Sequence, residues 1–260
     1  MKFALVTGGS QGIGLAMARE CLKQGLAVAI VALPNEHLQA AETELKQYGE
    51  VRTLGINLLD PQAADRIDEW LTQEQIELHY LINNAGFGRG GRFEDVAFQE
   101  YAVMMPLNTQ VGVTLIYKLL PRLKATKGGI LNVSSMEATL PLPYKAVYTG
   151  TKGFIYNFSL AIREEFRYHG ISVSILCPGP VLTNEDGLKR LEAKGRQAKL
   201  IVKMPEEVAP PAIKGMLKGK AVIIPGWLPK TLVRVGHYLP RSWRLKLLER
   251  TFREYRDNPS

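Results

Sequence analysis

The sequence predicts an α/β fold, a single doubly wound parallel sheet of seven strands with helices on both faces. Three observations carry this. Apolar runs rich in β-branched residues recur along the chain, as in strands buried on both faces. Segments of helical period separate them, the alternation that builds parallel sheets through crossover connections. No internal repeat, low-complexity tract or linker interrupts the 260 residues, of which 46% are hydrophobic, so one core can span the chain.

Residues 3–7 form the first strand and run through a glycine-rich turn into a helix at 14–24, stopped by Gly25. The strand at 27–33 is followed by a helix at 35–48, stopped by Gly49. After the third strand, 51–57, comes a helix at 61–72, with Pro61 in the first turn where its missing N–H is not needed. The fourth strand is 80–83, and the next helix 107–124. A fifth strand at 129–134 leads to a long helix at 147–169, closed by Gly170, and then to a sixth strand at 172–177. Residues 182–204 are polar and irregular, a candidate mobile lid. A helix at 206–217, opened by Pro205, and a strand at 221–224 complete the sheet. Residues 1–226 are thus read as one domain and 227–260 as a basic amphipathic extension packed on it. There Leu228, Leu232, Val235 and Leu239 recur at helical spacing, with Lys230 and Arg234 elsewhere around the turn.

The net charge is +8, and its excess lies late in the chain. Lys230, Arg234, Arg241, Arg244 and Lys246 fall between Trp227 and Leu248 with no Asp or Glu among them. The first apolar run is too short for a signal peptide, and no stretch approaches the ~20 apolar residues of a spanning helix. Cys21 and Cys177 stand far apart without metal-ligand or disulfide spacing, so no metal site is expected and a reducing cytoplasm is. His37, His79, His169 and His237 are scattered with no triad-like context.

Chemistry concentrates at the carboxyl ends of the predicted strands, where open α/β sheets bind ligands. The first strand ends in Thr7-Gly8-Gly9-Ser10-Gln11-Gly12-Ile13-Gly14. Glycines there allow a tight turn and close approach of backbone to a pyrophosphate, while the helix N-terminus attracts the anion. Taken alone, such a turn is also an ordinary strand-to-helix connection. Tyr148 and Lys152 lie four apart on one helix face, and of the ten tyrosines only Tyr148 has a lysine four residues later. A neighbouring ammonium favours phenolate, so Lys152 is expected to draw the Tyr148 pKa down from near 10. Asn83-Asn84-Ala85-Gly86 follows the fourth strand and Asn132-Val133-Ser134-Ser135 the fifth.

In this conjunction the sequence, from Lys2 to about Gly226, resembles the short-chain dehydrogenase/reductase family, with a Rossmann-type sheet. The branch is near the long-chain 3-oxoacyl reductases and hydroxysteroid dehydrogenases. The resemblance implies a catalytic set of Asn108, Ser135, Tyr148 and Lys152. Tyr148 would exchange the proton, Ser135 would hydrogen-bond the substrate oxygen, Lys152 would hold ribose hydroxyls, and Asn108 would hold a relay water. It implies cofactor contacts from Thr7, Gly8, Ser10, Gln11, Gly12, Ile13 and Gly14, and from Ala32 and Leu33 at the second strand end. Further contacts would come from Asn57 and Leu58 beside the adenine, from Asn84, Ala85, Gly86 and Lys152, and from the loop carrying Pro178, Gly179, Val181 and Thr183. Ser134 should face away from the site, since alternate residues at a strand end point to opposite sides.

The expected activity is NAD(P)(H)-dependent interconversion of a ketone and a secondary alcohol by hydride transfer. The cofactor expectation leans to NADP with NAD left open. Neither an acidic residue at Ala32 nor an arginine at Leu33 decides it, and Gln11 replaces the basic residue many NADP users carry in the turn. Met136, Leu140, Pro141, Leu142, Pro143 and Tyr144 suit a lipophilic carbonyl or alcohol, in keeping with a role in lipid metabolism. The resemblance also implies a homo-oligomer, dimer or tetramer, pairing through the Tyr148 helix, which carries Phe154, Ile155, Phe158 and Ile162. Two readings of another class stay open: a nicotinamide-binding redox sensor without turnover, and a membrane-surface or nucleic-acid binder supported only by the tail charge. Nucleic acid is not an expected partner, and membrane contact through the tail is expected to be weak at most.

Overall fold

The computed structural model of the chain describes residues 1–182, 202–226 and 241–257. Thr183, most of the expected lid and the amphipathic stripe at 228–239 lie outside the described residues. The strands β1 (Phe3–Thr7), β2 (Ala27–Ala32), β3 (Val51–Gly55), β4 (Leu78–Asn83), β5 (Gly129–Val133), β6 (Ser172–Leu176) and β7 (Val222–Ile223) form one sheet. Its order is β3-β2-β1-β4-β5-β6-β7, and every ladder is parallel. The helices are α1 (Gly12–Lys23), α2 (Glu36–Leu45), α3 (Ala63–Gln73), α4 (Phe98–Asn108), α5 (Gln110–Thr126), α6 (Ala146–Arg167) and α7 (Pro205–Leu217). Two more, α8 (Arg241–Phe252) and α9 (Glu254–Asp257), follow late in the chain.

Period-two alternation along fully buried strands divides the core between the two faces. Val28, Ile30 and Ala32 of β2 join Met17, Cys21, Val208 and Ile213 under α1 and α7, while Ala27, Ala29 and Val31 join Ile67, Leu71, Leu115 and Leu119 under α3 and α5. The chain winds outward from β1 to β3 and then crosses back to β4. The sheet therefore reverses direction between β1 and β4, and the crevice at that switch point opens beside Thr7 and Asn83.

The elements differ from expectation at a few places. The helix expected at 107–124 is two helices, broken at Thr109 (φ −124°, ψ −69°), and α4 was not anticipated. Its buried residues are Tyr101, Met104 and Asn108, while Phe98, Val103 and Met105 are exposed, so no single apolar stripe announces it. Pro61 precedes Gln62, the N-cap of α3, rather than standing in the first turn. β7 is only two residues long. Gly25 (φ +79°) and Gly170 (φ +74°) close α1 and α6 in the left-handed conformation that makes glycine a helix stop.

Candidate active site

At the switch point the glycine turn is shaped by what glycine lacks. Gly8 (φ +63°) and Gly12 (φ +54°) take left-handed backbone. A Cβ on Gly14 would lie 2.1 Å from the Gly8 carbonyl oxygen, so α1 approaches the turn as closely as only glycine permits. Asn84 locks this arrangement from β4. Its Nδ2 donates to the carbonyls of Thr7 (3.0 Å) and Gly8 (3.1 Å), and the N–H groups of Asn84 and Ala85 both donate to Thr7 Oγ1 at 3.0 Å. Gln11, the N-cap of α1, makes no side-chain capping bond, which leaves first-turn N–H donors for an anion favoured by the helix dipole. The cradle fits the pyrophosphate of a dinucleotide.

Other expected cofactor positions lie at or after the carboxyl ends of β2, β3 and β6. Ala32 is buried at the end of β2, and Leu33 next to it is 54% exposed, with no charged side chain at either position. Asn57 Oδ1 accepts from the Leu59 N–H at 3.0 Å, and Leu58 lines a cavity of about 150 Å³ with Pro106 and Val111. Ser10 and Ile13 are partly buried in the turn. Past β6, the Pro178 carbonyl accepts from the Met136 N–H (3.0 Å), Gly179 is partly buried, and Val181 bridges to Lys203.

β5 and α6 bring the proton-handling residues together. Ser135, Lys152 and Asn108 are buried, while Tyr148 stays partly exposed and its ring packs on Gly88, where a Cβ would lie 3.1 Å from it. Ser135 faces the Tyr148 hydroxyl closely enough to lower its pKa, and its Oγ accepts from the Glu137 N–H at 3.1 Å. Ser134 turns instead to the backbone of α6, donating to the Lys152 carbonyl at 2.8 Å. Lys152 Nζ donates to the Val133 carbonyl at 3.0 Å beside Gly86, and its ring-centroid distance to Tyr148 is 5.9 Å.

One expectation needs correction. Lys152 does not draw the phenol down. Burial raises the Tyr148 pKa above its ordinary value, the Glu137 carboxylate and Tyr255 add to the rise, and Ser135 only partly offsets it. Burial also pushes the Lys152 ammonium down to about 8. The side-chain amide of Asn108 is bonded to protein. Its Oδ1 accepts from the Phe87 N–H (3.1 Å), and its Nδ2 donates to the Phe87 carbonyl (2.9 Å) and Thr151 Oγ1 (3.1 Å), so the side chain fixes the turn after Gly86.

The structure adds contacts that the sequence reading passed over. Lys145 Nζ lies 3.1 Å from Glu137 Oε1, and 4.6 Å and 5.6 Å from the ring centroids of Tyr255 and Phe252. The Tyr144 hydroxyl donates to Glu249 Oε1 at 2.9 Å. Residues of α8 and α9 therefore reach the loop and helix start beside Tyr148. Loop residues paired through space have no periodic pattern, and only their opposite charges could have hinted at them.

A family profile for short chain dehydrogenases matches residues 2–193. The chain is 30% identical over 220 residues to very-long-chain 3-oxoacyl-CoA reductase of Homo sapiens, an alignment covering 82% of this chain and 68% of that one. In fold it is similar to a structure solved for the stereoselectivity of 7β-hydroxysteroid dehydrogenase, with a TM-score of 0.85 at 22% identity over 95% of this chain and 96% of that one. It is also similar to L-sorbose reductase from Gluconobacter frateurii, solved with NADPH and L-sorbose, with a TM-score of 0.77 at 25% identity, covering 86% and 94% of the two chains. With a profile match over most of its length and a sheet that places the motif residues at one crevice, the chain belongs to the short chain dehydrogenase family of oxidoreductases.

Proposed function

We propose that the protein interconverts a ketone and a secondary alcohol on a lipophilic substrate of the 3-oxoacyl or steroid-like kind, with Tyr148 as its acid/base. The observation that carries the reading is the placing of Tyr148 against Ser135 and Lys152 beside a cradle shaped for a dinucleotide. When bound, the dinucleotide supplies the two-electron exchange with the substrate carbon. Tyr148 gives a proton to the carbonyl oxygen in reduction and takes one from the hydroxyl in oxidation. Its raised pKa keeps the phenol protonated, the state reduction needs. Ser135 accepts from the Glu137 N–H, so its own proton is left to donate to Tyr148 or to the substrate oxygen.

Thr7, Gly8, Ser10, Gln11, Gly12, Ile13 and Gly14 are assigned to the pyrophosphate, and Asn57 and Leu58 to the adenine. Asn84, Ala85, Gly86 and Lys152 are assigned to the nicotinamide ribose, and Pro178, Gly179, Val181 and Thr183 to the nicotinamide side. Asn108 positions the turn after Gly86. NADP is assigned over NAD because no carboxylate at Ala32 repels a 2′-phosphate, and the NADPH complex of the similar L-sorbose reductase supports that reading. Leu142 is buried and Met136, Leu140 and Tyr144 are partly buried in the loop before Tyr148, an apolar surround for the substrate. Exposed Tyr117 on α5 and Phe154 on α6 offer a face to a second copy. No described helix is long and apolar enough to cross a membrane.

Tyr148→Phe tests the assignment, because it removes only the transferable proton. With 3-oxoacyl thioesters and ketosteroids as substrates, turnover should fall roughly 100- to 10,000-fold. The dinucleotide Kd should be unchanged. A phenylalanine variant with wild-type turnover would overturn the reading.

A further inference from the structure

Lys145 is the N-cap of α6, three residues before Tyr148, and it is enclosed. Its ammonium lies 3.1 Å and 3.4 Å from the two Glu137 carboxylate oxygens. The rings of Tyr255, Phe252 and Tyr148 stand 4.6, 5.6 and 5.9 Å away. The paired side chains are only 16% and 15% exposed. Removing such a pair from water costs about as much as the pairing returns, so stability alone does not account for it. The enclosure is completed from late in the chain. Glu249 accepts from Tyr144, the Tyr255 ring faces the Lys145 ammonium, and that ring fits against Gly90, where a Cβ would lie 2.5 Å from it.

We propose that Lys145 is a positioning residue for Tyr148, neutralising the Glu137 carboxylate beside the phenol and held in place for this by Tyr255 of the C-terminal segment. The inference rests on Tyr148 being the acid/base.

The groups facing the phenol come from every element around it. Lys145 and Lys152 lie on its own helix, Ser135 and Glu137 follow β5, and Tyr255 belongs to α9. Cys177, after β6, faces Lys152, and Arg89, near the Gly88 contact, is already paired with Glu100 at 2.7 Å. Among these, Glu137 is the anion that raises the phenol, and Lys145 is the cation paired to it. Burial opposes the charge on Lys145, but Glu137 and Tyr255 outweigh it and hold the ammonium above its ordinary value. Without that ammonium, Glu137 would act on Tyr148 uncompensated. The phenol would then hold its proton to higher pH, and the midpoint of the pH–rate profile would rise in both directions of the reaction.

The test uses the full chain and four proteins: wild type, Lys145→Met, Glu137→Gln, and the double variant. The pH profile of kcat/KM is read for NADP⁺-dependent oxidation of 3-hydroxydecanoyl-CoA. In parallel, the ultraviolet tyrosinate signal is titrated in NADP⁺-saturated protein against a Tyr148→Phe background, which reports the same midpoint with no substrate present. Lys145→Met should raise the midpoint by about one pH unit, the scale of a single neighbouring charge. Glu137→Gln should lower it, and the double variant should return it close to wild type. Tyr255→Ala should shift it in the direction of Lys145→Met and add nothing on top of that variant. A Lys145→Met protein with wild-type melting and an unmoved tyrosinate midpoint overturns the proposal, as does a double variant that fails to return, or additive shifts from Tyr255→Ala. If Tyr148→Phe stays active, the acid/base reading itself fails. If Tyr148→Phe is inactive and Lys145→Met is unmoved, only the role of Lys145 falls.

Discussion

Replacing Gly14 by alanine would ordinarily help a helix, since alanine is favoured over glycine inside one by about 1 kcal/mol. In α1 the sign should reverse. The added methyl would lie 2.1 Å from the Gly8 carbonyl oxygen, 2.5 Å from Asn84 Nδ2 and 2.9 Å from the Gly8 carbonyl carbon. Neither neighbour is free to retreat, because the Gly8 N–H is held by the Val31 carbonyl at 2.8 Å and Asn84 is bonded to both Thr7 and Gly8. Overpacking of this kind costs roughly 1–3 kcal/mol, and displacing the amide from Gly8 forfeits a hydrogen bond of about 1 kcal/mol. Set against the helical gain, the net loss is about 2 kcal/mol, or roughly 4–8 °C in Tm for a chain of this size. The dinucleotide Kd should rise at least about tenfold, since the displaced backbone forms the cradle. Gly150→Ala is the control. Gly150 is exposed on α6 with nothing within 4 Å of an added Cβ, so that variant should gain about 0.5–1 kcal/mol. Urea and thermal denaturation with dinucleotide titration would decide the matter. A Gly14→Ala protein as stable as wild type, or two variants moving in the same direction, would refute the reasoning.

Leu33→Arg should tighten NADPH by roughly tenfold or more with little effect on NADH, and Ala32→Asp should do the reverse, each through one charge-assisted contact of about 1.5–3 kcal/mol. Dissociation constants for both dinucleotides check this, and values unchanged in both variants would contradict it. Burial pushes the Cys177 thiol up to about 12 and raises Cys21 as well, so a disulfide reagent at pH 8 should label neither until denaturant is added. Lys152, held down to about 8 when folded against 10.5 ordinarily, binds fewer protons in the native state between these values. Its buried charge therefore penalises folding fully below pH 8, and stability from this group rises as pH passes from 8 toward 10. Urea midpoints should show that gain in the wild type and lack it in Lys152→Met, and an equal slope in both proteins would contradict the assignment.

The sheet was readable because β1, β2 and β5 are buried on both faces and stood out as runs, and helices ended at Gly25 and Gly170 with recognisable stops. The crevice residues were readable for a different reason. Thr7 to Gly14 and Tyr148 with Lys152 are local patterns whose spacing carries their chemistry. What escaped is what depends on tertiary surroundings. Pro106 inside α4 and apolar residues on its exposed side concealed that helix. Glu137, Lys145 and Tyr255 meet only because a loop, a helix start and a distant segment converge. The direction of the Tyr148 pKa was misjudged because sequence spacing displays the cation but neither the burial of the phenol nor the Val133 carbonyl that engages Lys152.

The bonds from Asn84 to Thr7 and Gly8 also bear on how the chain acquires its form. They span 77 and 76 residues, and β4 is the strand that delivers them after three complete crossovers. During synthesis, the first strand and its glycine turn emerge long before the amide that sets their geometry. Non-local parallel pairing is slow to form. The nucleotide cradle therefore takes shape only once the two halves of the sheet join at β1 and β4. A dinucleotide that recognises only the joined state would draw newly made chains toward it by mass action, linking the yield of folded enzyme to the supply of its cofactor.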